Sequence, residues 1–230
     1  MKITLLASTP NATKLVATAA WICTHRDFPT EADLHPDKCG PMVKRVIGYG
    51  HGHESILEHA SFTFGIEGIS RACSHQLVRY RIASFSQQSQ RYVKFKDFPE
   101  ETGISEFEGF AYPPTILTNR TLIAKYNNAL SYCACIYEDL MRQGVPPEDA
   151  RFVLPNAAAT KLVMTMNARE LRHFFTQRLC NQAQWEIREL AQHVYNLCDM
   201  TAPLLFEGSG PDCANCKEKN PCKVANHQEG

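Results

Sequence analysis

Residues 79–92 read Arg79-Tyr80-Arg81-Ile82-Ala83-Ser84-Phe85-Ser86-Gln87-Gln88-Ser89-Gln90-Arg91-Tyr92. Three arginines, three serines and three glutamines share these fourteen positions with hardly any aliphatic residue, and no acid balances them. A core segment needs apolar periodicity, and a solvated surface run normally interleaves charges of both signs. This stretch does neither. Its guanidiniums offer bidentate donors for phosphate or carboxylate, while Ser89 and the glutamines offer a hydroxyl and amides for the edge of a polar ring. The composition points to a nucleotide site. On an extended chain Arg79 and Arg81, two residues apart, would share a face.

Upstream, residues 70–78 read as a helix that ends at the arginine stretch. In residues 61–67, Phe62, Phe64 and Ile66 alternate with Ser61, Thr63 and Gly65, the period of a strand with one buried face. A short helix is expected over 41–49 and loop over 25–40. Thr9 and Pro10 read as a helix N-cap with proline at the first helical position, leading an alanine-rich helix to Cys23. Downstream, Ile123, Tyr126, Leu130, Cys133, Tyr137 and Leu140 step by three and four, marking a long amphipathic helix that stops near Gly144. Pro147, Glu148 and Asp149 start a short helix with Arg151 on it, acids favouring its positive end. Leu162, Met164 and Met166 alternate as a second strand. Asn167 would end that strand and start a helix with Arg169, His173 and Arg178, and Ile187, Leu190, Ala191, Val194, Leu197 and Cys198 line a last helix. Few strands and several helices give an α+β fold, a small antiparallel sheet packed with long helices.

At 230 residues the chain suits one domain, 1–205, followed by a cysteine-containing tail, 206–230. Lysine plus arginine equals aspartate plus glutamate at 24 each, so no global field draws nucleic acid or a membrane surface, and neither is expected as a partner. The opening Met-Lys-Ile-Thr-Leu-Leu lacks a long apolar core, and no apolar run approaches spanning length, so the ten cysteines are expected as reduced thiols in the cytoplasm. Cys23, Cys73, Cys133, Cys135, Cys180 and Cys198 fall in predicted helices as small hydrophobes, and Cys39 in a loop. In the tail, Cys213-x-x-Cys216 with Cys222 and His227 could ligate zinc as a small knuckle or form a flexible, redox-sensitive terminus.

Residues 51–59, His-Gly-His-Glu-Ser-Ile-Leu-Glu-His, bring histidines and glutamates together as zinc hydrolases do. The spacing fails. After His53-Glu54 the forward motif needs histidine where Leu57 stands, and the inverted motif ending Glu58-His59 needs one at Ser55. A helix with polar residues facing a ligand is the better reading, and no catalytic metal is expected. Gly48, Gly50 and Gly52 do not meet a dinucleotide fingerprint in spacing or context.

Taken together, the segments resemble the flavin-dependent thymidylate synthases, whose signature is Arg-His-Arg followed after seven residues by serine. Arg79-Tyr80-Arg81 and Ser89 stand at that spacing. Three further blocks are similar in order: His53-Glu54-Ser55 with Glu58-His59, Arg151 with Leu154-Pro155, and Asn167-Ala168-Arg169 running on to Arg178 and Ala183-Gln184-Trp185-Glu186. The resemblance spans the chain to about Leu205. It implies an enzyme that reduces FAD with NADPH, takes a methylene group from methylenetetrahydrofolate and places it on carbon 5 of dUMP, giving dTMP. It further implies that Gln76, Leu77, Val78, Arg79, Gln87, Gln88, Ser89, Gln90, Arg91, Arg151 and Arg178 hold dUMP. Ser55, Glu58, Arg79, Tyr80, Arg81, Gln87, Asn167, Arg169 and His173 would hold FAD, with active sites between subunits of a homotetramer.

Carbon 5 of uracil is a poor nucleophile, and a guanidinium beside the ring stabilises negative charge on its nitrogen and carbonyl oxygens, enriching that carbon. Arg178 is the candidate for this catalytic role, as a permanent cation. No histidine is evidently placed to deprotonate Ser89, so it is assigned to binding. Two positions depart from the family: Tyr80 replaces the motif's histidine, and Gln182 stands where some relatives carry histidine or arginine. Rival readings are a nucleotide- or flavin-binding homologue without turnover and a nucleic-acid module built on the arginine stretch. Zero net charge and the absence of an aromatic stacking platform argue against the second.

Overall fold

The computed structural model describes residues 1–48, 53–95, 106–213 and 216. In chain order the elements are β1 (Lys2–Ser8), α1 (Ala12–Ile22), α2 (Pro36–Gly48), a 3-10 turn (Glu54–His59), β2 (Ser61–Ser70), α3 (Arg71–Leu77) and β3 (Ala83–Gln87). They continue with α4 (Pro114–Leu117), α5 (Arg120–Arg142), α6 (Pro147–Ala150), a 3-10 turn (Arg151–Val153), β4 (Ala159–Asn167), α7 (Ala168–Arg178), α8 (Trp185–Thr201) and α9 (Pro203–Phe206). The strands form one sheet in the order β1-β2-β4-β3. Thr63 meets Thr165 with hydroxyl oxygens 2.9 Å apart, and Glu67 meets Lys161 at 3.5 Å, so β2 and β4 run antiparallel. The fold is α+β, as the alternating and helical periods foretell.

The chain falls into two compact units, Met1–Lys2 with Ile66–Arg79 and Phe85–Val163, and Ile3–Gly65 with Tyr80–Ser84 and Met164–Gly230. In the first, Phe107, Phe110, Tyr112, Leu130 and Ala158 form a buried cluster against one face of α5. Tyr112 satisfies its phenol there by donating to Asn127 Oδ1 at 2.7 Å and accepting from Phe107 N at 2.9 Å. In the second unit the inward residues of β2 and β4, Phe62, Phe64, Met164 and Met166, are fully buried with Phe174, Phe175 and Phe206. Phe175 lies edge-on to Tyr195 and Phe206, with centroids 5.3 and 5.8 Å away.

Helix starts follow local chemistry. Ser70 accepts from Cys73 N to cap α3, Asn119 from Thr121 N to cap α5, and Asn167 from Glu170 N to cap α7. At the end of α5, Gly144 takes φ +86°, a left-handed conformation that glycine adopts at no steric cost.

Several expectations are corrected. Helix α1 starts at Ala12 after Asn11 in a left-handed conformation, not at Pro10; Thr9 bonds Ser61 instead, its hydroxyl accepting from Ser61 N at 2.9 Å. Helix α2 starts at Pro36, so Cys39 is a buried helical residue and not a loop one. Cys23 and Cys135 are exposed, which removes them from the core. The arginine stretch holds β3, whose Ser84 and Ser86 are exposed while Ala83, Phe85 and Gln87 are half-buried. Arg79 lies in the turn ending α3 and Arg81 in a bend, so the chain between them is not extended. Residues 49–52, including His51, and the proposed zinc ligands Cys222 and His227 lie outside the described residues.

Replacing Phe175 with alanine removes the ring that touches Phe174, Tyr195 and Phe206. The expected loss is about 3–5 kcal/mol of stability, read as a lower denaturant midpoint. A midpoint unchanged from wild type would show that this aromatic cluster does not hold the second unit together.

Candidate active site

The residues expected at the site fall into two groups, one in each unit. In the first unit, α3 begins directly after β2. Arg71 N donates to Ala158 O at 3.0 Å and Ala72 N to Asn156 O at 3.1 Å, which fastens the start of the helix beside the loop that follows Arg151. Gln76 is half-buried, Val78 and Arg79 are exposed, and Leu77 is fully buried. The side chain of Leu77 therefore belongs to the core, and only its main chain can meet a ligand.

Gln87 ends β3 with its amide nitrogen donating to Ser74 Oγ at 2.9 Å and Thr160 Oγ1 at 3.3 Å. Gln88 N donates to Lys161 O at 2.9 Å, which keeps the chain against β4 as it leaves the strand. Ser89 Oγ accepts from Arg91 N at 3.1 Å and its carbonyl from Val93 N at 3.0 Å, so Ser89 shapes the turn that presents Gln90 and Arg91. Arg91 forms a salt bridge with Glu148, and Arg151 Nε donates to the Glu148 carbonyl at 2.9 Å. A cavity of about 320 Å³ opens here, walled by Arg71, His75, Gln90, Arg151, Phe152 and Asn156.

In the second unit Asn167 passes the chain from β4 to α7, and residues 169, 172, 173 and 176 step along one face of that helix. A cleft of about 520 Å³ is lined by Arg169, Arg172, His173, Glu54, Glu58 and Asn167, together with Gly208 and Ser209 from beyond α9. Glu58 is ion-paired with Arg169. Arg172 donates to Leu205 O, Glu207 O and Ser209 Oγ, each at 3.0 Å, tying the segment after α9 to the cleft. Burial pushes the Glu170 carboxyl above its ordinary value, against the pull of His173 and Arg169. Ser55 and Arg81 are exposed and do not line the cleft.

Tyr80 is only 7% exposed. Its hydroxyl accepts from Arg178 Nε at 2.8 Å and donates to Gln177 Oε1 at 2.7 Å, while Gln177 Nε2 lies 3.0 Å from His173 Nε2. The Arg178 guanidinium also lies 5.5 Å from the centre of the Tyr80 ring. One hydrogen-bonded chain thus runs from Arg178 through Tyr80 and Gln177 to His173. Arg178 is oriented at its Nε by the Tyr80 hydroxyl.

Residues 4–204 match the thymidylate synthase complementing protein family. The chain belongs to that family. It is 48% identical to the flavin-dependent thymidylate synthase of Geobacter sulfurreducens, over 93% of this chain and 88% of the relative. Against the enzyme of the same name from Pyrococcus furiosus it is 44% identical, over 96% and 91%. The crystal structure of flavin dependent thymidylate synthase ThyX from Helicobacter pylori, complexed with FAD and dUMP, superposes with a TM-score of 0.73 at 25% identity, covering 91% of this chain and all of that one.

Within the sequence blocks that carry the resemblance, some side chains are structural. Gln184 caps α8 by accepting from Glu186 N and Ile187 N, and Glu186 is buried. Leu154 packs against the core of the first unit. Gln182 lies in the exposed turn before α8. Sequence reading missed Arg172 and Thr176, which the three- and four-residue steps from Arg169 could have supplied, and Gly208 and Ser209, which carry no such signal. Among the described residues no group of three or more histidines, cysteines or acids is placed to hold a metal.

Burial raises the Tyr80 phenol above its ordinary value of about 10, outweighing the opposing effect of Arg178. A proton bound more tightly in the folded state contributes stability below the unfolded value, and that contribution is lost as pH rises through the folded one. In alkaline absorbance titrations the ionisation missing from Tyr80→Phe should therefore have a midpoint above that of a free phenol. A midpoint at or below the free value would mean that the phenol is not enclosed as described.

Proposed function

We infer that the protein is a flavin-dependent thymidylate synthase, converting dUMP to dTMP with methylenetetrahydrofolate as carbon donor and NADPH as the source of reducing equivalents. Membership of the family over residues 4–204 is the observation that carries this reading. The geometry supports it. The cleft of the second unit sets donors on Asn167, Arg169 and His173 beside acceptors on Glu58 and Glu54, a mixed set suited to the pyrophosphate and hydroxyls of FAD. FAD supplies the hydride and carbon transfer when bound. Glu58, through its ion pair, fixes where Arg169 presents its remaining donors.

We assign dUMP to Gln76, the main chain of Leu77 and Val78, Arg79, residues 87–91, Arg151 and Arg178. Arg178 polarises the uracil: its charge, oriented by Tyr80, stabilises the negative charge that develops on the ring as carbon 5 becomes nucleophilic. Residues 1–205 form the catalytic domain in this reading, since the family match ends at 204, and the tail of 206–230 begins within that domain, with Phe206 in its core and Gly208 and Ser209 on the cleft. The enzyme works as a homotetramer, which would cover exposed apolar side chains such as Phe28, Phe152 and Met200. Light scattering should then give a particle of four 25.9 kDa chains, and a monomer would exclude sites shared between subunits. A cytoplasmic location belongs to the same reading. No helix among the described residues is long and apolar enough to cross a membrane.

The deciding experiment is anaerobic addition of NADPH to flavin-loaded protein with and without dUMP. Bleaching of the flavin that depends on NADPH, with dTMP formed once methylenetetrahydrofolate is present, is the expected result; flavin that ignores both additions would refute the reading. In Arg178→Ala, flavin content should stay at the wild-type level while kcat falls by about 100-fold or more. Turnover at the wild-type rate would remove Arg178 from the chemistry.

A further inference from the structure

The bonds around Tyr80 admit one assignment of protons. Arg178 Nε can only donate, so the Tyr80 hydroxyl accepts from it at 2.8 Å and has its own proton left to give. That proton goes to Gln177 Oε1 at 2.7 Å, which turns the Gln177 amide nitrogen toward His173. Gln177 Nε2 is also a donor only, and it lies 3.0 Å from His173 Nε2. That ring nitrogen is therefore the bare acceptor, and the neutral imidazole carries its proton on Nδ1. A guanidinium at one end of the chain dictates the tautomer of a histidine at the other.

Gln177 holds the middle of this chain without facing the cleft of the second unit, which His173 and Thr176 line and Gln177 does not. Its place follows from α7: position 177 stands one turn beyond His173, so the two side chains meet, and Arg178 is its neighbour in the chain. Tyr80 comes from the segment between α3 and β3 and is anchored by packing. Its ring lies edge-on to Phe174 and to His173, with centroids 5.1 and 6.2 Å away. The ring is fixed in place, but its hydroxyl proton can turn unless an acceptor holds it. Gln177 is that acceptor. Without it the phenol proton can swing toward the guanidinium, and Arg178 loses the lone pair that orients it.

We propose that Gln177 is a positioning residue for the reaction: accepting from Tyr80 and donating to His173, it keeps the phenol's lone pair on Arg178 and the His173 proton on Nδ1. It thereby couples the residue that polarises the uracil to one that holds the flavin. The proposal rests on the synthase reading given above, in which Gln177 touches neither ligand and acts through its two neighbours.

Three substitutions separate the bonds. Gln177→Met keeps the length of the side chain and removes both bonds, Tyr80→Phe removes the phenol, and Gln177→Glu keeps an acceptor for the phenol with no donor for His173. The test measures dTMP formation, and dUMP affinity by calorimetry, on flavin-loaded wild type, these variants and the double variant Gln177→Met, Tyr80→Phe. Gln177→Met should lower kcat about 3- to 10-fold, as for loss of one hydrogen bond, with dUMP affinity within about twofold of wild type. Adding Gln177→Met to Tyr80→Phe should lower kcat no further, and Gln177→Glu should lie nearer wild type than Gln177→Met does. Effects that multiply in the double variant, a wild-type rate in Gln177→Met, or Gln177→Glu as slow as Gln177→Met would each overturn the proposal.

A second readout needs no turnover. In solid-state NMR of protein isotope-labelled at its histidine nitrogens, with His173 assigned by its absence from His173→Asn, wild type should show Nδ1 protonated and Nε2 bare, and Gln177→Met should lose that preference. A wild-type His173 protonated on Nε2, or a tautomer that Gln177→Met leaves unchanged, would also overturn it. If wild type forms no dTMP, the synthase reading falls, while the tautomer still decides whether Gln177 sets the state of His173.

Discussion

The register of β2 against β4 is the constraint from which both candidate sites follow. Thr63 with Thr165 and Glu67 with Lys161 obey one antiparallel alignment. A slip of one residue would turn Phe62, Phe64 and Ile66 on one strand, or Leu162, Met164 and Met166 on the other, away from the core. Each strand also ends on the residue that caps the next helix, Ser70 for α3 and Asn167 for α7. With no linker between strand and helix, the direction of each helix is inherited from the sheet. The rows of functional side chains on α3 and α7 are set by the same pairing that buries the phenylalanines and methionines.

Charge is managed locally within a chain of zero net charge. Glu58 holds Arg169 and Glu148 holds Arg91, so these two guanidiniums are neutralised within the protein. An anionic ligand competes with a carboxylate at each of them, which favours ligands of higher charge over singly charged ones. Where no carboxylate is supplied, as at Arg71, burial and the neighbouring charge of Arg151 make the charge harder to hold.

Much of this architecture is legible in the residues. The alternation of phenylalanines in β2 and of methionines in β4 gives the two central strands because each has one buried face. The three- and four-residue steps give α5 and α8, and Asn167 announces α7 because its amide can cap a helix as the strand ends. The edge strands were harder to read. In β3 the exposed positions are serines and the inward ones include Ala83 and Gln87, so no apolar alternation marks it. In β1 exposed and half-buried positions alternate from Lys2 to Leu6, but Leu6 lies on the exposed face and Ile3 and Leu5 on the other, so apolar residues fall on both. Thr9 misled because its hydroxyl serves a strand pairing with Ser61 instead of a helix cap. Of the site, the residue types and their blocks could be read from sequence. Arg172 and Ser209 come together only through the chain reversal after α9, and Arg71 opposite Arg151 only through the bonds of α3 to the 156–158 segment.

Tyr80, which stands where the Arg-His-Arg signature of the resemblance has histidine, connects Arg178 to Gln177 with a group that stays uncharged throughout the range in which cells operate. An imidazole there would exchange a proton near neutrality, and its charged form would confront the guanidinium it is meant to steady. The phenol accepts from one neighbour and donates to the other in a single protonation state. The aim of Arg178 is thereby made independent of small shifts in acidity.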